Sequence, residues 1–286
     1  MIKLTECPRD AMQGIKDWIP TGQKTAYLNA LLEVGFDVLD FGSFVSPKAI
    51  PQLKDTAEVL SGLNLDATGT DLLAIVANER GASDASSFEE IKFLGFPFSI
   101  SEKFQKRNTN KSIDQSLYAV ERIKTIADKS NKEVMIYISM AFGNPYGENW
   151  HPDIAISWSN RLNNELGISH IALSDTIGVS NSENITQLFT SVLSEIENVN
   201  FGAHLHTKPE TWKEKIEAAY KAGCLRFDGA LKGYGGCPMA DDSLTGNMPS
   251  ELIAGYFRET TESLSIDEDK LVKATSMAHE LFSTYN

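Results

Sequence analysis

From one end of the chain to the other, short apolar runs alternate with segments of helical period, and this alternation limits the fold more than any other feature. Runs that read as strands fall at 2–7, 38–44, 72–78, 91–99, 134–142, 170–176, 200–206 and 225–231. Between them, periodic segments near 22–34, 51–61, 112–129, 154–166, 182–196 and 209–222 read as helices, most followed by glycine or a polar turn. The connection at 80–90, RGASDASSFEE, is short and serine-rich and carries the weakest helical signal. Repeated βα units imply a parallel sheet covered by helices. Eight units followed by a glycine-rich loop, KGYGGCPMADDSLTGN, and two further helices near 249–262 and 266–283 predict one (β/α)8 TIM barrel over 1–286, with a helical C-terminal extension at about 249–286. A doubly wound sheet also alternates, but it favours a glycine fingerprint after its first strand, and TECPRDAMQG has none.

Composition narrows the function classes. A formal net charge of −13 repels nucleic acid and anionic lipid, so neither is expected as a partner. No apolar run approaches the roughly 18 residues of a membrane span, and MIKL leads straight into polar sequence, so an untargeted cytoplasmic protein is expected. The three cysteines, Cys7, Cys224 and Cys237, are odd in number and widely spaced, which fits neither a disulfide framework nor a Cys-x-x-Cys zinc site. Cys7 and Cys224, in or beside strands, read as packed small hydrophobes, whereas Cys237 lies in the glycine-rich loop.

In a (β/α)8 barrel the chemistry belongs at the C-terminal ends of the strands. The reactive side chains sort to those ends: Arg9, Asp10, Asp40, Ser43, Asn78, Ser99, Asp175, His204, His206 and Cys237. His204 and His206 close the seventh strand as His-x-His. Side chains at i and i+2 leave one face of a strand, roughly 6–7 Å apart, a spacing that suits one divalent metal. A pair of hydrogen-bonded histidines would give the same motif.

Four stretches, ECPRDAMQG, FGSFVSPKAIPQLKDTAEVL, SDTIGVSN and GGCPMADDSLTGNMPSE, together resemble the 3-hydroxy-3-methylglutaryl-CoA lyases, a branch of the metal-dependent lyases and Claisen-type synthases built on this barrel. The Arg-Asp and His-x-His features are shared with the synthases, whereas SFVSPK and the Gly-Gly-Cys-Pro loop are closer to the lyases. The resemblance implies Asp10, His204, His206 and Asn247 as ligands of a divalent metal. Oxygen and imidazole donors favour Mg²⁺ or Mn²⁺ over Zn²⁺. It implies further that Arg9 stabilises an enolate, that Asp10 or His204 accepts the hydroxyl proton, that Cys237 returns a proton, and that Asp40 lies close by. Gln13, Ser43 and Asp175 would orient these groups. Lys48, Lys103, Lys106, Arg107 and Lys232 are the basic candidates for the phosphates of an acyl-CoA substrate. A homodimer is expected by analogy.

The chain also departs from the lyase pattern. Thr207 and Lys208 follow the histidines where Asp-Thr is usual. Asp40 stands for a glutamate, Asn144 for a cysteine and Ala11 for a glycine. These changes leave the acyl specificity more open than the reaction class.

Overall fold

The computed structural model describes residues 1–66, 68–236, 245–260 and 262–285. Eight parallel strands form the core of the structure: β1 (Lys3–Glu6), β2 (Val38–Ser43), β3 (Asp71–Ile75), β4 (Ile91–Ser99), β5 (Glu133–Ser139), β6 (His170–Asp175), β7 (Asn200–Thr207) and β8 (Arg226–Gly229). Each pairs with its neighbour in sequence, and β8 pairs with β1, so the sheet closes into a barrel. A two-residue strand, β9 (Gly246–Asn247), runs antiparallel to the end of β7 and sets Asn247 opposite His206.

The helices are α1 (Pro8–Gln13), α2 (Thr21–Val34), α3 (Thr56–Ser61), α4 (Glu79–Ser86), α5 (Glu102–Thr109), α6 (Ile113–Lys129), α7 (Pro152–Leu166), α8 (Ser182–Glu195), α9 (Trp212–Lys221), α10 (Ser250–Arg258) and α11 (Glu268–Tyr285). Local chemistry fixes several starts. Ser112 and Asn181 form capping boxes at α6 and α8, and Asn78 caps α4 by accepting the Gly81 N–H at 2.9 Å. Asn78, one of the polar strand-end residues, is therefore a cap.

Three elements were not expected from the sequence pattern: α1, α5 and β9. All are too short to show a period. The helix anticipated at 51–61 divides into a 3-10 turn at Pro51–Leu53 and α3, and the weak 80–90 segment holds all of α4 but its first residue. Cys7 lies beyond β1, at the junction with α1.

Alternation along the strands separates two apolar layers. Leu39, Leu72, Ala74, Leu94, Ile136 and Ile171 face outward into the main core beneath the helices. Their neighbours Val38, Leu73, Ile75, Phe93, Met135, Tyr137 and Ala172 form a second cluster inside the barrel. All of these inner apolar residues come from β2 to β6. The matching positions on β7, β8 and β1 are polar: His204 lies level with Asp228, and Asp228 with Thr5. One side of the barrel interior is thus packing and the other is chemistry.

Glu6 points the other way, out of β1. Its buried carboxylate accepts the Leu231 N–H at 2.9 Å and the Ser250 hydroxyl, tying β1 to the turn after β8 and to the start of α10. Burial pushes its pKa up to about 8, against the lowering effect of those two hydrogen bonds. A carboxyl that holds its proton more tightly folded than unfolded makes the native state lose stability as pH rises from 4.5 towards about 8. Glu6→Gln, neutral and able to accept the Leu231 N–H through its oxygen while donating its amide N–H to the Ser250 hydroxyl oxygen, is expected to match the wild type in melting temperature at the acid end of that window and to exceed it at the alkaline end. Equal offsets at both ends would show that Glu6 titrates normally.

Candidate active site

Pro8 opens α1 directly after β1. Its fixed φ suits a first helical turn, where the missing N–H costs no hydrogen bond. The turn places Arg9 and Asp10 over the C-terminal mouth of the barrel. Both are buried, and both are held by charge. Arg9 grips Asp40 through Nε and Nη2, the latter at 2.6 Å, and donates through Nη1 to Asp10 Oδ1 and Gln13 Oε1, each at 3.0 Å. Gln13 Nε2 donates to Asp10 Oδ1 at 2.5 Å, so this side chain touches both the cation and the carboxylate.

Asp10, His204 and His206 present donor atoms that all lie within 4.8 Å of one another. Asn247 joins them by donating Nδ2 to Asp10 Oδ2 at 2.7 Å and to the Tyr234 carbonyl at 2.9 Å. The histidines are oriented differently. His206 Nδ1 meets the Thr176 carbonyl at 3.0 Å, which fixes the proton on that nitrogen and leaves a buried Nε2 with no hydrogen-bond partner among the described residues. A buried acceptor with no donor, facing a carboxylate and a second imidazole, is what a cation would satisfy. His204 Nδ1 instead faces the buried carboxylate of Asp228 at 3.3 Å.

The electrostatics follow from these contacts. Burial pushes the His206 pKa down, with His204 adding to the effect. Burial acts on His204 in the same sense, but the hydrogen bond and charge of Asp228, helped by Asp10, outweigh it and the pKa is raised. Burial also works against the Asp10 carboxylate, yet Arg9 and the two histidines hold its pKa below the ordinary value. Asp40 is raised to about 6 because its burial exceeds the help from Arg9.

A cavity of about 350 Å³ opens from this cluster. Arg9, Asp10, Tyr137, His204 and His206 form its polar end, and Val45, Ile50, Ile75, Pro97 and Phe104 its apolar wall, with Asn108 and Thr109 of α5 also lining it.

Not every residue singled out in the sequence reaches the cluster. Ser43 hydrogen-bonds to the Ile75 carbonyl and the Val45 N–H, and it lines a separate polar groove with Asn78 and Arg80. Its hydrogen bonds go to the backbone and to Thr56, and none reaches Asp10, His204 or His206. Asp175 acts at one remove: it accepts the Val179 and Ser180 N–H groups and pairs at 3.0 Å with the buried Lys215, whose ammonium also donates to the His206 carbonyl. Ser99 ties the ends of β4 and β5 together. Among the basic residues, Lys106 pairs with Glu102, Arg107 stacks on Tyr146, Lys103 donates to the Tyr146 carbonyl, and Lys48 and Lys232 are exposed. Cys237 lies outside the described residues. Gly235, two residues before it in sequence, is close to the site, since a Cβ there, at φ +85°, would come within 2.6 Å of Ala11 Cα.

Two participants were not anticipated: Asp228 and Lys215. The i, i+2 relation of Arg226 and Asp228 on a strand whose neighbour carries His204 could have pointed to Asp228. Lys215 carried no signal, being a lysine in an ordinary amphipathic helix.

The departures also have local explanations. Asn144 builds the turn it sits in, accepting the Tyr146 and Glu148 N–H groups and donating to the Glu148 carbonyl. Thr207 turns its hydroxyl to the Lys208 carbonyl and Thr211, leading into α9. Asp40, despite its shorter side chain, reaches Arg9 with both oxygens.

Comparison with known proteins agrees with this geometry. A family model described as HMGL-like matches residues 3–278. The chain is 31% identical over 276 residues to hydroxymethylglutaryl-CoA lyase YngG of Bacillus subtilis, covering 96% of this chain and 90% of that protein. It is likewise 31% identical over 274 residues to the 3-hydroxy-3-isohexenylglutaryl-CoA/hydroxy-methylglutaryl-CoA lyase of Pseudomonas aeruginosa, with the same coverage. The structure of an HMG-CoA lyase from Acinetobacter baumannii, in complex with coenzyme A and 3-methylmalate, superposes with a TM-score of 0.90 at 29% identity, covering 99% of this chain and 92% of that one. On the strength of the family match and of these full-length similarities, the chain belongs to the HMGL-like family.

Proposed function

We propose that this protein is a hydroxymethylglutaryl-CoA lyase, cleaving 3-hydroxy-3-methylglutaryl-CoA to acetyl-CoA and acetoacetate with the help of a divalent metal. The observation that carries the reading is the meeting of Asp10, His204 and His206 beside Arg9 at the barrel mouth. These three, with Asn247, would hold the ion, and a set of carboxylate, imidazole and amide donors favours Mg²⁺ or Mn²⁺ over Zn²⁺. When bound, the metal supplies Lewis acidity to the substrate hydroxyl and a template for its carboxylate.

The remaining chemistry falls to side chains. Asp10, or His204 through an Nε2 not engaged by the ion, takes the C3 hydroxyl proton; as the C3 oxygen becomes a carbonyl, the C2–C3 bond breaks and its electron pair passes into a thioester enolate. Arg9, pinned by Asp40 and Gln13, directs fixed positive charge at the enolate oxygen, where preorganised charge is most effective. Cys237 delivers a proton to C2, completing acetyl-CoA. Asp228 keeps the His204 Nδ1 proton in place so that Nε2 stays available. Lys48, Lys106, Arg107 and Lys232 are the proposed contacts for the coenzyme phosphates, with Lys103 beside them. The apolar wall of the cavity supports a second reading, a substrate with a bulkier C3 substituent, in keeping with the isohexenyl specificity named for the Pseudomonas relative.

Acetoacetate release from racemic 3-hydroxy-3-methylglutaryl-CoA tests the reading. EDTA should abolish it and Mn²⁺ or Mg²⁺ restore it; turnover that ignores the chelator would remove the metal from the mechanism. Cys237→Ala is expected to lower kcat by orders of magnitude while Mn²⁺ still binds, and a fully active variant would exclude the thiol. Asp228→Asn should weaken Mn²⁺ binding about 10- to 100-fold, the usual cost of losing a partner behind a ligating histidine. The fraction of bound Mn²⁺, read by electron paramagnetic resonance, measures this directly, and unchanged affinity would deny Asp228 that part.

A further inference from the structure

On the Nδ1 side of His204 lies a second group of donors, which adds Cys7, a residue without a part in the proposed reaction, to His204 and Asp228. Cys7 Sγ, a ring nitrogen of His204 and a carboxylate oxygen of Asp228 all lie within 4.8 Å of one another, and Nδ1 is the nitrogen that faces Asp228. Among the described residues, Cys7 and Asp228 are short of partners. The Cys7 thiol has only the Thr5 carbonyl, at 4.0 Å. Asp228 Oδ1 has no hydrogen-bond partner although the residue is 2% exposed. The Tyr137 hydroxyl, on a buried ring packed edge-on against His204, also lacks one. Buried polar atoms are nearly always satisfied, so a carboxylate oxygen left without a partner beside a thiol and an imidazole calls for an occupant.

We propose that Cys7, His204 Nδ1 and Asp228 form a second cation site, selective for thiophilic ions of the Zn²⁺ and Cd²⁺ class, which competes with the Asp10, His204 and His206 site for the single imidazole of His204. Thiolate, imidazole and carboxylate make up a zinc-type donor set, unlike the harder set above it. An ion centred between donors at this spacing lies at most about 2.8 Å from each, against roughly 2.0–2.3 Å in zinc sites, so each side chain has to close by no more than about 0.5–0.8 Å. The position of the thiol is set by the backbone, because the Cys7 N–H is held by the Gly229 carbonyl of β8 at 2.8 Å.

Competition follows from counting protons. With its proton on Nδ1, toward Asp228, His204 offers the Nε2 lone pair to the upper site. An ion in the lower site takes the Nδ1 lone pair; that proton moves to Nε2, and Cys7 releases its thiol proton to solvent. Nε2 then carries hydrogen and no longer ligates. Thiophilic ions would in this way dismantle the upper site without occupying it. The competition rests on the metal reading given under the proposed function.

The test uses the full chain carrying Cys237→Ala, so that the loop thiol cannot contribute. Titration of this Mn²⁺-loaded protein with Cd²⁺ should produce a sulfur-to-cadmium charge-transfer band in the ultraviolet that saturates at one equivalent, while free Mn²⁺ rises in parallel by electron paramagnetic resonance. Adding Cys7→Ser should remove the band and keep Mn²⁺ bound, which also shows that the variant is folded. Absence of the band, or its survival with Cys7→Ser, would overturn the site, and full Mn²⁺ retention as the band saturates would overturn the competition. Failure of the cadmium-free protein to bind Mn²⁺ would instead count against the proposed function, because the band alone decides whether the lower site exists.

Discussion

The guanidinium of Arg9 is the interaction on which the mouth of the barrel depends. Three side chains, Asp40, Asp10 and Gln13, converge on its five donors, and two of them are carboxylates removed from water. Removing one partner from a buried ion pair typically costs about 3–5 kcal/mol, because the other charge is left uncompensated. Here the loss would set two carboxylates against each other across the site. A lysine could not replace the fork, since one ammonium cannot address both oxygens of Asp40 and still reach Asp10. The same geometry gives Asp40 and Asp10 different characters: Asp40 is raised to about 6, while Asp10, which also feels both histidines, is lowered.

Around this centre, the division of the barrel interior into an apolar and a polar side gives the site its form. The apolar residues of β2 to β6 leave a wall against which part of a ligand can lie, while β7, β8 and β1 stack His204, Asp228 and Thr5 at one level. The two histidines differ because their Nδ1 atoms meet different acceptors, a backbone carbonyl for His206 and a carboxylate for His204. Lys215 adds support from outside, joining Asp175 to the His206 carbonyl through a buried ammonium.

Much of the fold could be read from the sequence because a period repeated over many residues survives local noise. All eight barrel strands lie where the apolar runs stand, and the long helices α2, α6, α7, α8 and α11 follow their periodic segments closely. The short elements α1, α5 and β9 could not be read that way, since fewer than two or three turns, or a single pair of residues, leave no period to detect. They matter beyond their length: α1 carries Arg9 and Asp10, α5 lines the cavity, and β9 delivers Asn247.

The residues of the site divide along the same line. The chain by itself determined the alternation, the His-x-His face and the placing of reactive side chains at strand ends, because these are relations between neighbours in sequence. Only the tertiary structure decided that Asp228 stands behind His204, that Lys215 reaches Asp175, and that Ser43 and Asn78 serve the backbone instead of the site. Those outcomes depend on strand register and on which side chains lose water together, and distance along the chain says nothing about either.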